Sequence, residues 1–117
     1  MKILIVDDEP LVRRSLGKAL RLKGHEVFEA VDGSLGLEEW QAKNPDLVFL
    51  DVLMPGLTGP QVLEAIGPLR QAKVILMSAY AGDHNVDSDP NKGADLFLPK
   101  PFDDIFAVVR QAEELVK

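Results

Sequence analysis

There is no cysteine in this chain, which removes disulfides, thiolate nucleophiles and thiolate metal ligands at once. Basic residues are also in short supply: 13 Lys and Arg stand against 19 Asp and Glu, a net charge of −6. That balance argues against a sequence-independent grip on DNA or RNA through a basic face. No apolar run approaches the length of a membrane span, and the N-terminus lacks the basic-then-apolar pattern of a secretory signal. No glycine-rich phosphate loop follows the first apolar run, so a nucleotide or flavin domain is the least favoured α/β reading. What these absences leave is a soluble, acidic, cytoplasmic protein, and 117 residues suit one domain, spanning 1–117.

What is present is a set of short apolar runs that stop at polar groups. Leu47-Val48-Phe49-Leu50 ends at Asp51, and Ile3-Leu4-Ile5-Val6 ends at Asp7-Asp8-Glu9. Without alternation, such runs read as strands buried on both faces. Lys73-Val74-Ile75-Leu76-Met77-Ser78 and Leu96-Phe97-Leu98 read as two more strands, while the mixed polarity of Glu26-Val27-Phe28-Glu29-Ala30 reads as an edge.

Helical spacing fills the gaps. Pro10 opens a first helix carrying Val12, Leu16, Ala19 and Leu20, and Gly24 stops it. A second runs from Ser34 to Lys43 with Leu35, Leu37 and Trp40 apolar. A third is capped by Thr58, with Pro60 in its first turn and Gln61 at capping-box spacing, and Gly67-Pro68 ends it. Phe102 to Lys117 reads as an amphipathic helix with Ile105, Phe106, Val109, Ala112 and Val116 on one side. Between Tyr80 and Lys92 the alternation calls for one more helix, but 82–91 offers a single apolar residue, Val86, to bury. Strand and helix thus alternate five times, which predicts a parallel sheet covered on both faces with right-handed crossovers.

In open α/β sheets ligands bind at the rim where strands end. Here that rim would collect Asp7, Asp8, Asp51, Ser78 and Lys100. Neighbouring strands lie about 4.8 Å apart. Like charges about 4 Å apart repel by roughly 4 kcal/mol at an effective dielectric near 20, so clustered carboxylates need a cation or a raised pKa. Oxygen-only ligands point to Mg²⁺ rather than zinc. A divalent cation beside a carboxylate, a hydroxyl and an ammonium suits a phosphoryl group, with Asp51 as nucleophile. Taken singly, each residue is more often a turn, cap or surface group. Four strands ending in complementary groups make that explanation poor.

These pieces also carry a family pattern. Ile5-Val6-Asp7-Asp8-Glu9, Asp51-Val52-Leu53-Met54-Pro55-Gly56-Leu57-Thr58-Gly59, Met77-Ser78-Ala79-Tyr80 and Leu98-Pro99-Lys100-Pro101-Phe102 together resemble the receiver domain of two-component response regulators. The resemblance implies a flavodoxin-like, doubly wound, five-stranded parallel sheet of order 2-1-3-4-5 with five helices. The fourth helix is expected to be short or irregular here. It implies that Asp51 receives a phosphoryl group from a histidine kinase or phosphotransfer protein. Asp8 would ligate Mg²⁺ directly, Asp7 mainly through water, and the Leu53 carbonyl would complete the metal site. Ser78 would be the switch hydroxyl, Phe97 the aromatic that reorients with it, and Lys100 the phosphoryl-binding lysine, followed by a cis bond to Pro101.

The same resemblance places kinase docking near the first helix, beside Val12 and Leu16, and an output protein on the face of the fourth helix, fifth strand and fifth helix. Leu53 and Tyr80 occupy the positions that govern water access, which implies slow loss of the phosphoryl group. His84 reads as a surface residue. The expected activity is a phosphorylation switch that catalyses its own phosphorylation and dephosphorylation, not a metabolic enzyme. Two rivals stay open. One is a Mg²⁺-dependent phosphatase with an aspartyl nucleophile, disfavoured by the adjacency of Asp7 and Asp8 and by the lack of room for a cap domain. The other is a receiver-like scaffold that is never phosphorylated.

Overall fold

In the computed structural model, residues 1–79 and 93–117 are described. The element order is β1 (Lys2–Val6), α1 (Pro10–Leu22), β2 (Glu26–Ala30), α2 (Gly33–Lys43), β3 (Leu47–Asp51), α3 (Gly59–Ile66), β4 (Lys73–Ser78), β5 (Leu96–Pro99) and α4 (Ile105–Val116). The strands form one parallel sheet in the order β2-β1-β3-β4-β5. The helix expected between β4 and β5 lies outside the described residues, as do Tyr80 and His84. Among the described residues there are four helices.

The unbroken apolar runs have the cause anticipated for them. Ile3, Ile5, Leu47, Phe49, Ile75 and Met77 pack on one face with Leu16, Ala19 and Leu20 of α1 and Val108, Val109 and Ala112 of α4. Leu4, Val6, Val48, Leu50, Val74 and Leu76 pack on the other with Trp40 of α2 and Val62 and Leu63 of α3. Each such side chain contributes about 1.5–3 kcal/mol when fully buried, so both faces of β1, β3 and β4 are apolar between the strand ends. β2 lies at the edge, as its composition required, and its burial is only partial before Ala30. Where α2 crosses β1 there is no room for a larger residue: a Cβ on Gly36 would meet Val6 Cγ1 at 2.6 Å.

Three details depart from the sequence reading. Phe102 is not helical, because Asp104 caps α4 by accepting from the Phe106 and Ala107 N–H groups. Phe106 is exposed, and Val108 takes the core position in its place. At about 100° per residue, Ile105, Val108, Val109 and Ala112 share a stripe that Phe106 lies well off. On α1, Leu16 is fully buried and has no surface to offer a docking partner, whereas Leu11 is 70% exposed. Leu16 shares the buried stripe of α1 with Ala19 and Leu20, while Val12, the other residue expected beside the docking region, is half-buried.

Candidate phosphoacceptor site

Register builds the site. β1 and β3 pair in parallel with Val6 opposite Leu50, so the next residues out, Asp7 and Asp51, leave the sheet side by side. Asp51 is opposite Met77, and Ser78 is opposite Pro99, which brings the ends of β4 and β5 to the same rim. The Lys100 N–H donates to the Ser78 carbonyl at 2.9 Å, and the Lys100–Pro101 bond is cis. Behind Asp51, α3 approaches backbone to backbone: a Cβ on Gly59 would meet the Asp51 carbonyl oxygen at 2.5 Å. A cleft of ≈ 270 Å³ results, lined by Asp8, Glu9, Asp51, Leu53, Ser78, Ala79 and Lys100.

The floor of this cleft is an ion cluster. Carboxylate oxygens of Asp7, Asp8 and Asp51 lie within 4.8 Å of one another. Asp7 is fully buried, while Asp8 is exposed. Lys100 Nζ lies 2.9 Å from Asp7 Oδ2, 2.7 Å from Glu9 Oε1 and 3.3 Å from Asp51 Oδ1. The other Asp7 oxygen accepts the Glu9 N–H at 2.9 Å, so both of its oxygens are engaged. Burial, and after it the neighbouring Asp7 charge, push the Asp51 carboxyl up to about 7, against the opposing pull of Lys100. Burial pulls the other way on Lys100. Its hydrogen bonds to Glu9 and Asp7, with the charges of Asp51 and Asp7, outweigh that and hold the ammonium above its ordinary pKa.

This donor set suits a hard divalent cation. Three carboxylates, from Asp7, Asp8 and Asp51, supply only oxygen and converge within 4.8 Å. The structure thus brings Asp7, Asp8, Asp51, Leu53, Ser78 and Lys100 to one place, with Asp7 beneath the cleft and the others on its wall. Leu53 is 54% exposed at the rim. Phe97 packs in the sheet on the face that holds Trp40 and Val62, beneath the rim.

Two residues of the site were not assigned roles from the sequence. Glu9, read as part of the acidic boundary of β1, makes the shortest contact to Lys100. Arg13, read as a cation between apolar positions, donates from Nη1 to the Asp7 carbonyl at 2.7 Å and pairs with Glu29 at 3.4 Å. The only hint of Glu9 was a third acid in sequence, and Arg13 gave none, because its partner Glu29 comes from β2.

Known proteins place this arrangement. The family model described as the response regulator receiver domain matches residues 3–110. The transcriptional activator protein PfeR of Pseudomonas aeruginosa is 40% identical over 101 residues, covering 86% of this chain and 33% of that protein. The chain spans between a third and a half of the length of PfeR and comparable curated relatives. The receiver domain of the hybrid histidine kinase CckA superposes with a TM-score of 0.82 at 35% identity over 100% of both chains. The response regulator TrrA of Thermotoga maritima, in complex with Mg²⁺-BeF, gives a TM-score of 0.83 at 34% identity over 97% of both chains. TrrA in complex with the histidine kinase ThkA gives 0.82 at 33% identity over 99% of this chain and 98% of that one. With the family match running from β1 into α4 and taking in every strand of the sheet, the chain belongs to the response regulator receiver domains, the signalling modules of two-component systems.

Proposed function

We propose that residues 1–117 act as one cytoplasmic phosphoacceptor unit in which Asp51 takes a phosphoryl group from the phosphohistidine of a sensor histidine kinase or phosphotransfer protein. The observation that carries this reading is Asp51 itself: a carboxylate only 4% exposed, within 4.8 Å of two others and 3.3 Å from Lys100 Nζ. An Asp51 oxygen attacks phosphorus and the P–N bond breaks. The bond electrons return to the ring nitrogen of a protonated phosphoimidazole, which leaves as neutral imidazole. The product is an acyl phosphate on Asp51.

The residues present fit Mg²⁺, held by Asp8, Asp51 and the Leu53 carbonyl, with Asp7 acting mainly through water. Once bound, the ion neutralises charge on the phosphoryl oxygens. The two engaged oxygens of Asp7 support its more distant role. Lys100 binds a second phosphoryl oxygen. The Ser78 hydroxyl and backbone N–H groups of the rim bind the third. Because these groups come from the chain itself, the domain catalyses its own phosphorylation and dephosphorylation, and small phosphodonors are substrates in addition to a kinase.

Occupancy of Asp51 draws Ser78 inward and Phe97 with it, shifting a pre-existing equilibrium of the output face toward a partner-binding form. The curated relatives are longer than this chain and named as transcriptional regulators, which is consistent with an output partner that acts on gene expression.

Incubation with acetyl phosphate and Mg²⁺, read by intact mass, tests the assignment. Wild type should gain one phosphoryl group that is lost in alkali, and Asp51→Asn should gain none. Equal gains in both proteins would move the acceptor elsewhere.

A further inference from the structure

Lys100 has more acidic neighbours than phosphoryl binding requires. Its ammonium carries three N–H donors, and three carboxylates stand within salt-bridge distance: Glu9 at 2.7 Å, Asp7 at 2.9 Å and Asp51 at 3.3 Å. Asp51 is the acceptor, and Asp7 belongs to the acidic cluster. Glu9 has neither role, yet its contact is the shortest.

Two further observations set Glu9 apart. It is the N-cap residue of α1, but its side chain makes no capping hydrogen bond, so the carboxylate is not spent on starting the helix. Its side chain is 57% exposed, against 6% for Lys100, 5% for Asp51 and 0% for Asp7. It therefore stands at the cleft mouth as a fourth carboxylate on the path of any incoming phosphodonor, while holding the lysine that would receive it.

We propose that Glu9 is a rate-limiting restraint on phosphorylation. It occupies the Lys100 ammonium with a contact that the incoming phosphoryl group has to displace, and it repels anionic donors at the cleft mouth. The inference rests on the proposal that Asp51 is the acceptor. A phosphodonor oxygen has to displace a contact of Lys100, and the Glu9 contact, the shortest of the three and the one nearest solvent, is the first it meets. Repulsion acts in the same direction, since the donor carries the same sign of charge as Glu9. Both effects slow capture of free small phosphodonors, which reach the site without the docking energy that a protein donor contributes.

The test compares wild type, Glu9→Gln and Glu9→Asp with acetyl phosphate and saturating Mg²⁺, at low and high salt. Mg²⁺ affinity is measured separately by calorimetry. Glu9→Gln should phosphorylate about five- to twenty-fold faster, a gain that damage to the fold cannot imitate. Glu9→Asp keeps the charge but is too short for the same reach to Lys100. An intermediate rate, with the salt dependence retained, is expected. Mg²⁺ affinity of Glu9→Gln should stay within about threefold of wild type. An unchanged or slower rate in Glu9→Gln would overturn the proposal, and so would a larger loss of Mg²⁺ affinity, which would make Glu9 part of the cation site. Failure of the acceptor reading looks different: wild type itself would take up no phosphoryl group.

Discussion

Asp51 is a buried acid that shares the Lys100 ammonium with two other carboxylates. Its pKa rises from the usual 3.8 to about 7, so between those values the folded chain holds a proton that the unfolded chain has lost. Its contribution to stability is therefore full below pH 4 or so and is lost as pH climbs through 7. Metal-free protein should grow less stable across that window, and Asp51→Asn should flatten the profile. At pH 7 the variant should be more stable by roughly 1–2 kcal/mol, a figure set below the full linkage because water reaches the cleft. Urea unfolding in a chelator at several pH values measures this. Parallel curves for the two proteins would mean that Asp51 does not titrate there.

At the scale of elements, α3 shows how local chemistry supports the site. Thr58 Oγ1 accepts the Gln61 N–H at 3.2 Å, and Gln61 Oε1 accepts the Thr58 N–H at 2.9 Å, closing a capping box. The next residue, Gly59, packs so near Asp51 that a Cβ there would meet the Asp51 carbonyl oxygen at 2.5 Å. Thr58→Ala should cost about 1 kcal/mol of stability, seen as a lower urea midpoint, while phosphoryl uptake survives. This cap was legible in the residues because both partners lie three positions apart. The start of α4 was less so. Asp104 and Phe102 are both compatible with a helix N-terminus, and only docking onto the sheet selects the register that buries Val108 and exposes Phe106.

For the whole molecule, the cation and the fold are linked. The site gathers groups from β1, β3 and β5 that are far apart in the unfolded chain, so Mg²⁺ should bind the folded state alone. At a hundredfold excess over its Kd it should then stabilise the protein by about 2.7 kcal/mol. A calorimetric melting scan should show a rise with Mg²⁺ that a chelator reverses and that Asp8→Asn largely removes. An equal rise in Asp8→Asn would place the ion elsewhere.

The sequence by itself determined the five strands, the cap at Thr58, the helix start at Pro10, and the presence of Asp7, Asp8, Asp51, Ser78 and Lys100 at strand ends. Each follows from local rules: a doubly buried strand must be apolar throughout, and its first polar residue marks where it leaves the sheet. Contacts between elements distant in sequence were decided only in the tertiary structure. The Glu9 and Asp7 contacts to Lys100 bridge 91 and 93 residues. The Arg13 bond to the Asp7 carbonyl is local, but Glu29 on β2 holds the same guanidinium from the other side. Likewise, Leu16 and Leu11 are alike in type, and one is buried while the other is exposed because α1 rests on the sheet along a single stripe. A side chain's type limits the environments it can occupy, and packing decides which partner it meets there.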